Sequence, residues 1–348
     1  MSNFHIIFLL FFLIVQNTFA DANATTVQES SYIDNSHQFI SEQVLDLSKV
    51  IDTTVHDWVL YFDNNTTDAN GEEMSMDVFF KNEKYIDDTD KAFVRLGLNS
   101  NFQSKANEDY TYALKAHIPL SRSKTKLNLF VKSSFNDHDD KEINNIANNP
   151  NDDNAKTEIG VNLFSSKFYN ITPKYSAGIR SFDPFARARY KMAFEFDEWD
   201  IELSQFFKYS VEDEFSEGTK LYFDTKYEDS GLFRILLHRE TRDVNTGMDY
   251  GLGLHYYLAS MKNTAIRFSQ NFTGNTKYTY IDDSVVPNIK KKHADINNYT
   301  TSVSLRQNIL KEWIYYEVTP AVNFHKQYDY DVNYSLNFLL EFYFGRHK

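Results

Sequence analysis

The sequence predicts an all-β protein, a transmembrane antiparallel up-and-down β-barrel of about 14 strands. Three observations support this prediction. The first is an alternating pattern at the C-terminus, where every second residue from Tyr334 to Phe344 is apolar. Because a strand repeats every two residues, these apolar side chains share one face. The second is the recurrence of such segments upstream, and the third is the pattern of lengths in the connections between them.

The alternating segments begin after Lys91, and each is close to the ~10 residues that a tilted membrane strand needs. They span 91–102, 109–120, 124–135, 156–166, 171–181, 184–196, 198–209, 217–227, 231–242, 247–258, 262–273, 297–309, 312–324 and 333–344. An even number is typical of single-chain bacterial barrels, and a total of about 12 to 16 strands is compatible with the pattern.

The connections alternate in length as a barrel requires. If the first strand leaves the periplasm, the connections after even-numbered strands are periplasmic, and all of these are short. The long insertions Asn136–Ala155 and Gly274–Ile296 both follow odd-numbered strands and are therefore predicted outside the cell. The last strand then ends in the periplasm at Phe344, where the barrel assembly machinery is the expected partner.

The first 20 residues are predicted to be a cleaved signal peptide. Ile6–Val15 is an apolar run of secretory length, and Thr18-Phe19-Ala20 offers small residues at a cleavage site. The protein is therefore expected to be exported to the bacterial outer membrane, with outer-membrane lipid around it.

Residues 21–90 are predicted to form a periplasmic segment that precedes a barrel spanning 91–348. A short N-terminal helix is expected over Tyr32–Phe62, and Asp63–Asp90 is expected to be a polar linker. Apolar residues at three- and four-residue spacing form one face of the helix: Ile40, Val44, Leu47, Ile51, Val55 and Trp58. This helix could pack on the barrel, plug it, or bind a periplasmic partner.

Composition excludes several classes of protein. The chain has no cysteine, which excludes disulfide-stapled domains, thiolate metal sites and a cysteine nucleophile. Its formal net charge of −13 argues against nucleic acid as a partner. No cofactor and no metal are predicted. The 30 Phe and 23 Tyr fit the aromatic girdles of a membrane barrel.

The side chains between the lipid-facing ones are predicted to line the lumen, and bases outnumber acids among them. The clearest group lies on the fifth to seventh strands: Lys174, Arg180, Arg187, Arg189, Lys191 and Lys208. These residues are the candidate anion-attracting wall of a pore, because Arg and Lys ladders select anions. The alternative is that they pair with lumen acids and only hold the wall together.

Two short stretches carry a resemblance to known proteins. They are Asp183-Pro184-Phe185-Ala186-Arg187-Ala188-Arg189-Tyr190 and Trp313-Ile314-Tyr315-Tyr316-Glu317-Val318-Thr319-Pro320. With the export signal, the helix and the closing strand, they resemble a family of uncharacterised proteobacterial outer-membrane proteins. The resemblance implies an outer-membrane barrel and no particular activity.

The leading functional hypothesis is a pore for small polar or anionic solutes rather than an enzyme. One alternative is a non-conducting structural or assembly barrel whose helix binds a periplasmic partner. An outer-membrane hydrolase is a further alternative, for which His117, His238, His255 and His325 are the candidate bases. None of these histidines accompanies a recognisable nucleophile motif such as Gly-x-Ser-x-Gly.

Overall fold

The computed structural model describes residues 32–59, 92–120, 126–134, 156–227, 231–244, 247–261, 264–282, 289–309, 311 and 313–345. The predicted signal peptide and the predicted linker lie outside these residues. Helix α1 spans Tyr32–Val59, which confirms the predicted N-terminal helix. Within the described residues, no helix is long and apolar enough to cross a membrane.

Fourteen β-strands follow and form a closed antiparallel barrel in which each strand pairs with its neighbours in sequence. Their bounds are β1 Phe93–Gln103, β2 Asp109–Leu120, β3 Lys126–Ser134, β4 Lys156–Phe164, β5 Ile171–Arg180, β6 Asp183–Glu195, β7 Asp200–Ser210, β8 Glu214–Tyr227, β9 Gly231–Arg242, β10 Met248–Met261, β11 Thr264–Asp282, β12 Ile289–Asn308, β13 Ile314–His325 and β14 Val332–Gly345.

The barrel closes between its first and last strands. β1 pairs with β14 in a continuous register that runs from Phe93 opposite Gly345 to Gln103 opposite Ser335. Closure leaves the sheet without an edge, so the backbone groups of both terminal strands find partners within the chain. We call the end of the barrel that carries Phe93 and Gly345 the termini end, and the other the opposite end.

The predicted strands agree with the structure to within a few residues, apart from one hairpin. The sequence pattern predicted a loop over Gly274–Ile296, and this prediction was wrong for most of that range. β11 continues to Asp282 and β12 begins at Ile289, with Thr279 opposite Lys292. This extension is rich in Thr, Tyr and Ile, which favour strands. It lacks a uniformly apolar face, so a search for membrane strands misses it.

The two faces of the sheet differ as the alternation predicted. The inner face carries buried polar and charged side chains, among them Lys174, Arg234 and Glu341. The outer face carries exposed Leu, Ile, Phe and Tyr side chains, such as Leu237 and Phe268. A barrel that is apolar outside and polar inside matches a bilayer around it and water or ion pairs within it.

A chain of hydrogen-bonded polar side chains on the outer face departs from this pattern. Thr219 on β8 donates a hydrogen bond to Gln205 on β7 at 2.5 Å, and Arg239 on β9 donates to Thr219 at 3.1 Å. Arg239 also lies 3.2 Å from Glu217. These groups satisfy one another across three strands, which lowers the cost of polar atoms on this face.

Candidate anion-binding recess

The lumen wall formed by β11 to β14 and β1 carries a network of paired charges, which we call the seam network: Arg95, Arg267, Arg306, Glu317 and Glu341. Arg306 is 1 % exposed and donates to Glu317 at 3.2 Å and to Glu341. Arg267 lies 3.2 Å from Glu317, and Arg95 lies 3.5 Å from Glu341 across the β1–β14 seam. An ion pair therefore bridges the joint between the first and last strands, with Arg95 on β1 and Glu341 on β14.

A second paired site lies on β8 and β9. The Nε and Nη2 atoms of Arg234 donate to the two carboxylate oxygens of Asp224, both at 2.7 Å. The guanidinium lies over the rings of Tyr222 and Tyr257, at 5.3 and 5.7 Å from their centroids. Two parallel hydrogen bonds and two aromatic faces hold this fully buried cation in one geometry. Like the seam network, it places a carboxylate beside the base.

A third group, which we call the rim cluster, joins two neighbouring turns at the opposite end of the barrel. Ser181 and Phe182, between β5 and β6, have φ angles of 46° and 74°, which a two-residue type I′ hairpin requires. Asp183 then accepts hydrogen bonds from the backbone N–H of Val211 and Glu212 at 2.9 and 3.2 Å, in the turn between β7 and β8.

The carboxylate of Asp213 completes the rim cluster. Arg180 donates a hydrogen bond to it, and Lys208 lies 3.4 Å away. Burial alone raises the pKa of Asp213, but the hydrogen bond and charge of Arg180, with Lys208 and Arg242 nearby, outweigh burial. The pKa of Asp213 is therefore held below its usual range, and the carboxylate stays charged at neutral pH.

The wall formed by β2 to β6 has a different charge balance. A small recess there has a cavity volume of about 30 Å³, and eleven of the described residues line it. Its charged lining residues are five bases and one acid: Lys115, Lys132, Lys174, Arg187, Arg189 and Glu158. Among the described lining residues, bases therefore exceed acids.

Ordered polar and aromatic groups shape this recess. Arg187 lies 3.3 Å from Glu158, and the ammonium of Lys174 lies 5.2 Å from the ring centroid of Phe164. Ser176 donates to the carboxamide oxygen of Asn162 at 2.7 Å, and both side chains are buried. The carboxamide orientation is thereby fixed, which leaves its NH₂ group as the donor on that side chain. The recess is thus a formed, cation-rich site.

The six cations singled out from the sequence fall into separate places. Lys174, Arg187 and Arg189 come together in the recess. Arg180 and Lys208 belong to the rim cluster, and Lys191 lies opposite Thr172 and Ser204 in the strand register. The structure adds Lys115 and Lys132 to the recess. The two-residue alternation places both on the inward face, but it does not say which strands bring their side chains together.

The candidate catalytic histidines occupy separate parts of the wall. His255 is 1 % exposed, and its Nδ1 lies 2.9 Å from the hydroxyl of Ser269. The ring of His238 lies against Gly251, where an added Cβ would approach it to 2.3 Å. His117 lies 3.3 Å from the Asn128 carboxamide, and His325 accepts a hydrogen bond from the backbone of Gln327 at 3.2 Å.

These features define the class of the protein. A closed antiparallel barrel with an apolar outer face and a charged interior is an outer-membrane β-barrel. No protein-family model matches the sequence, and no curated protein matches it.

The chain is similar to several solved structures. An anion-selective porin from Comamonas acidovorans has a TM-score of 0.43 and 8 % identity, over 73 % of this chain and 98 % of that one. The outer-membrane channel DcaP of Acinetobacter baumannii has a TM-score of 0.41 and 10 % identity, over 73 % and 96 %. The KdgM porin in complex with disordered oligogalacturonate has a TM-score of 0.33 and 9 % identity, over 71 % and 98 %.

The seam network predicts that Arg306→Gln strongly destabilises the barrel. The substitution removes the buried cation between Glu317 and Glu341, and breaking a buried ion pair costs ~3–5 kcal/mol. Urea unfolding of the protein in lipid vesicles measures the change. Lys326→Gln is the control, because the Lys326–Asp329 pair lies at an exposed turn and should contribute less than ~1 kcal/mol. An equally small effect of Arg306→Gln would contradict this account.

The rim cluster predicts a loss of stability in acid that depends on Asp213. Because the folded-state pKa of Asp213 is depressed, its contribution is complete above the unfolded-state pKa of ~3.9 and disappears as the pH falls through the folded value. Asp213→Asn should therefore lower the urea midpoint at pH 7, and the difference from wild type should shrink below pH ~4. A difference that is constant from pH 7 to pH 3 would contradict the assignment.

Proposed function

We propose that the protein is a passive outer-membrane pore that prefers small anionic or polar solutes. The observation that carries the proposal is the recess on β2 to β6, where the described lining residues include five bases and one acid. A confined wall with an excess of one charge raises the local concentration of the opposite ion and speeds its entry. Elsewhere on the described wall, Arg234, Arg267 and Arg306 each lie within 3.2 Å of a carboxylate, which offsets part of their charge.

The number of strands is compatible with this role. Barrels of about 8 strands are filled by their own side chains, whereas those of about 16 strands enclose a water channel. Fourteen strands lie between these cases, and the proposal requires a lumen that has room for water as well as for the charged groups on its wall. We further propose that the termini end faces the periplasm. Phe344, at that end, would then be the contact for the barrel assembly machinery.

Charge reversal in the recess should change the ion preference of the pore. In planar bilayers with a KCl gradient, the wild-type protein should favour chloride, and Arg187→Glu with Arg189→Glu should abolish or invert this preference. The single variant Arg189→Glu keeps the Arg187–Glu158 ion pair and should lower the preference in the same direction. A changed preference in this variant is therefore caused by the change of charge and not by loss of that ion pair.

The matched control is Lys226→Glu, which makes the same change of charge on β8, outside the recess. Its ion preference should stay close to that of the wild type. Folding of each variant is checked by heat-modifiable migration in gels. Unchanged preference in both recess variants would refute the role of these arginines. Absence of conductance from folded wild-type protein would refute the pore and support the non-conducting barrel, whose helix would then be the part to test for a partner.

A further inference from the structure

An apolar groove with a volume of about 520 Å³ lies on the outer face of β4 to β8. Its floor is formed by Ala177 on β5 and by Ala186 and Ala188 on β6, whose side chains are single methyl groups. Ala177 lies opposite Ala186 in the strand register, and Ala186 lies opposite Tyr209. Larger apolar side chains flank the floor: Val161, Leu163, Tyr175, Phe207, Tyr209 and Phe215. We call this depression the outer groove.

Aromatic side chains give the outer groove a firm edge and a protruding neighbour. A row of rings runs along it from β5 to β8, with centroids 6.3, 6.5 and 6.3 Å apart: Tyr175, Tyr190, Phe207 and Phe215. Tyr209, next to the floor, is 60 % exposed and stands out from the wall. A depression with a protruding ring beside it is self-complementary, because two copies related by a two-fold axis can each place a ring in the depression of the other.

The apolar surface continues to the turns above the outer groove. Phe182, between β5 and β6, is 99 % exposed, and Val211, between β7 and β8, is 71 % exposed. The 13 residues of β6, at ~3.3 Å per residue and a tilt of ~40°, give this wall a height of ~33 Å. The apolar band of a membrane barrel is only ~25 Å tall. The turn tips therefore lie at the edge of the acyl-chain layer rather than within it, and acyl chains alone do not cover this strip.

Polar side chains border the outer groove on its β8 side. Glu217 lies opposite Phe207 of the groove wall and pairs with Arg239 at 3.2 Å. Beside this pair, Thr219 donates a hydrogen bond to Gln205. Acyl chains offer such groups no hydrogen bond, whereas contacts between proteins in a bilayer use small residues for close approach and polar residues for additional bonds. An apolar patch with a polar margin is also typical of a protein contact surface.

The size of this surface suits a stable contact between proteins. Five strands ~4.8 Å apart form a strip ~24 Å wide, and with the height of ~33 Å this strip offers ~800 Å² on each copy. A stable interface of standard size takes ~800 Å² from each partner. The strip is therefore wide enough for a dimer, and its ion pair brings both signs of charge to the contact, although the chain as a whole has a net charge of −13.

We propose that the outer groove is the contact surface between two copies of this chain, which form a two-fold symmetric dimer in the membrane. Tyr209 of each copy packs against Ala177 and Ala186 of the other. The polar side chains from Gln205 to Arg239 lie at the margin of the contact. This inference goes beyond the proposed function, and a non-conducting barrel could dimerise in the same way.

The mass of the folded full-length mature protein tests the dimer. Sedimentation equilibrium in density-matched detergent micelles should show a monomer–dimer equilibrium for the wild type. Ala186→Trp fills the outer groove and should weaken dimerisation at least tenfold. Val303→Trp, which adds the same ring at an exposed outer-face position on β12, should leave it unchanged. Heat-modifiable migration in gels shows that each variant is folded.

Cross-linking in lipid vesicles tests which surfaces meet, since the chain has no cysteine of its own. Ala186→Cys and Tyr209→Cys are made as separate variants and reconstituted together. Oxidation of the mixture should give several-fold more disulfide-linked dimer than either variant gives alone. The matched control pairs Ala186→Cys with Val303→Cys and should give no such increase.

Three results would overturn the inference. The first is a wild type that is monomeric in both micelles and vesicles. The second is a monomer that carries a lipid, measured by mass spectrometry, which Ala186→Trp displaces; the outer groove would then hold an acyl chain. The third is a dimer that Ala186→Trp leaves intact and that cross-links no better in the test mixture than in the control, because the copies would then meet elsewhere. Conductance is measured separately, so none of these results bears on the pore.

Discussion

Closure of the sheet between β1 and β14 is the constraint on which the rest of the structure depends. Within a bilayer, a backbone N–H or C=O group without a partner costs several kcal/mol, and no water is available to satisfy it. The chain meets this requirement by returning its last strand to its first, from Phe93 opposite Gly345 onward. Every other strand is then fixed between two neighbours, and each side chain has a defined face.

Closure also makes it energetically costly to place charged side chains in the interior. Half of the strand residues point into a confined space, where an isolated charge is expensive. The chain meets this cost in two ways. From β8 round to the β1–β14 seam, Arg234 and Arg306 each have carboxylates within hydrogen-bond distance. In the recess on β2 to β6, the described lining residues include five bases and the carboxylate of Glu158. The interior is therefore uneven in charge, although the chain as a whole is strongly acidic.

The fold was predictable because its signal is local. A two-residue alternation shows which residues face lipid, and a slip by one residue would turn every apolar side chain inward. The hairpin of β11 and β12 shows the limit of this reasoning: beyond the bilayer neither face has to be apolar, so the pattern that marks membrane strands disappears. The polar chain from Gln205 to Arg239 was missed for a related reason, since hydrogen bonds between strands compensate for residues that look misplaced one at a time.

The site was only partly predictable, because it depends on the strand register and on how far each long side chain extends. Alternation places Arg180 and Arg187 on the inner wall, and the structure has both facing the interior. It does not show that Arg180 reaches Asp213 in another turn, or that Arg187 meets Glu158 on β4. Lys115 and Lys132 become neighbours only through the pairing of β2 with β3. A single sequence contains no pattern that shows non-local pairing of this kind. It does show, through the alternation, that each base faces inward.

The most direct test of the uneven interior uses the absence of cysteine from the chain. Ser176→Cys places a unique thiol in the recess, where it can be modified with thiol reagents of equal size and opposite charge. If the recess is cationic and reached by water, the negatively charged methanethiosulfonate reagent should react at least about tenfold faster than the positively charged one, after correction for their rates with a free thiol. Equal rates, a faster reaction of the positive reagent, or no reaction with either reagent would contradict the account.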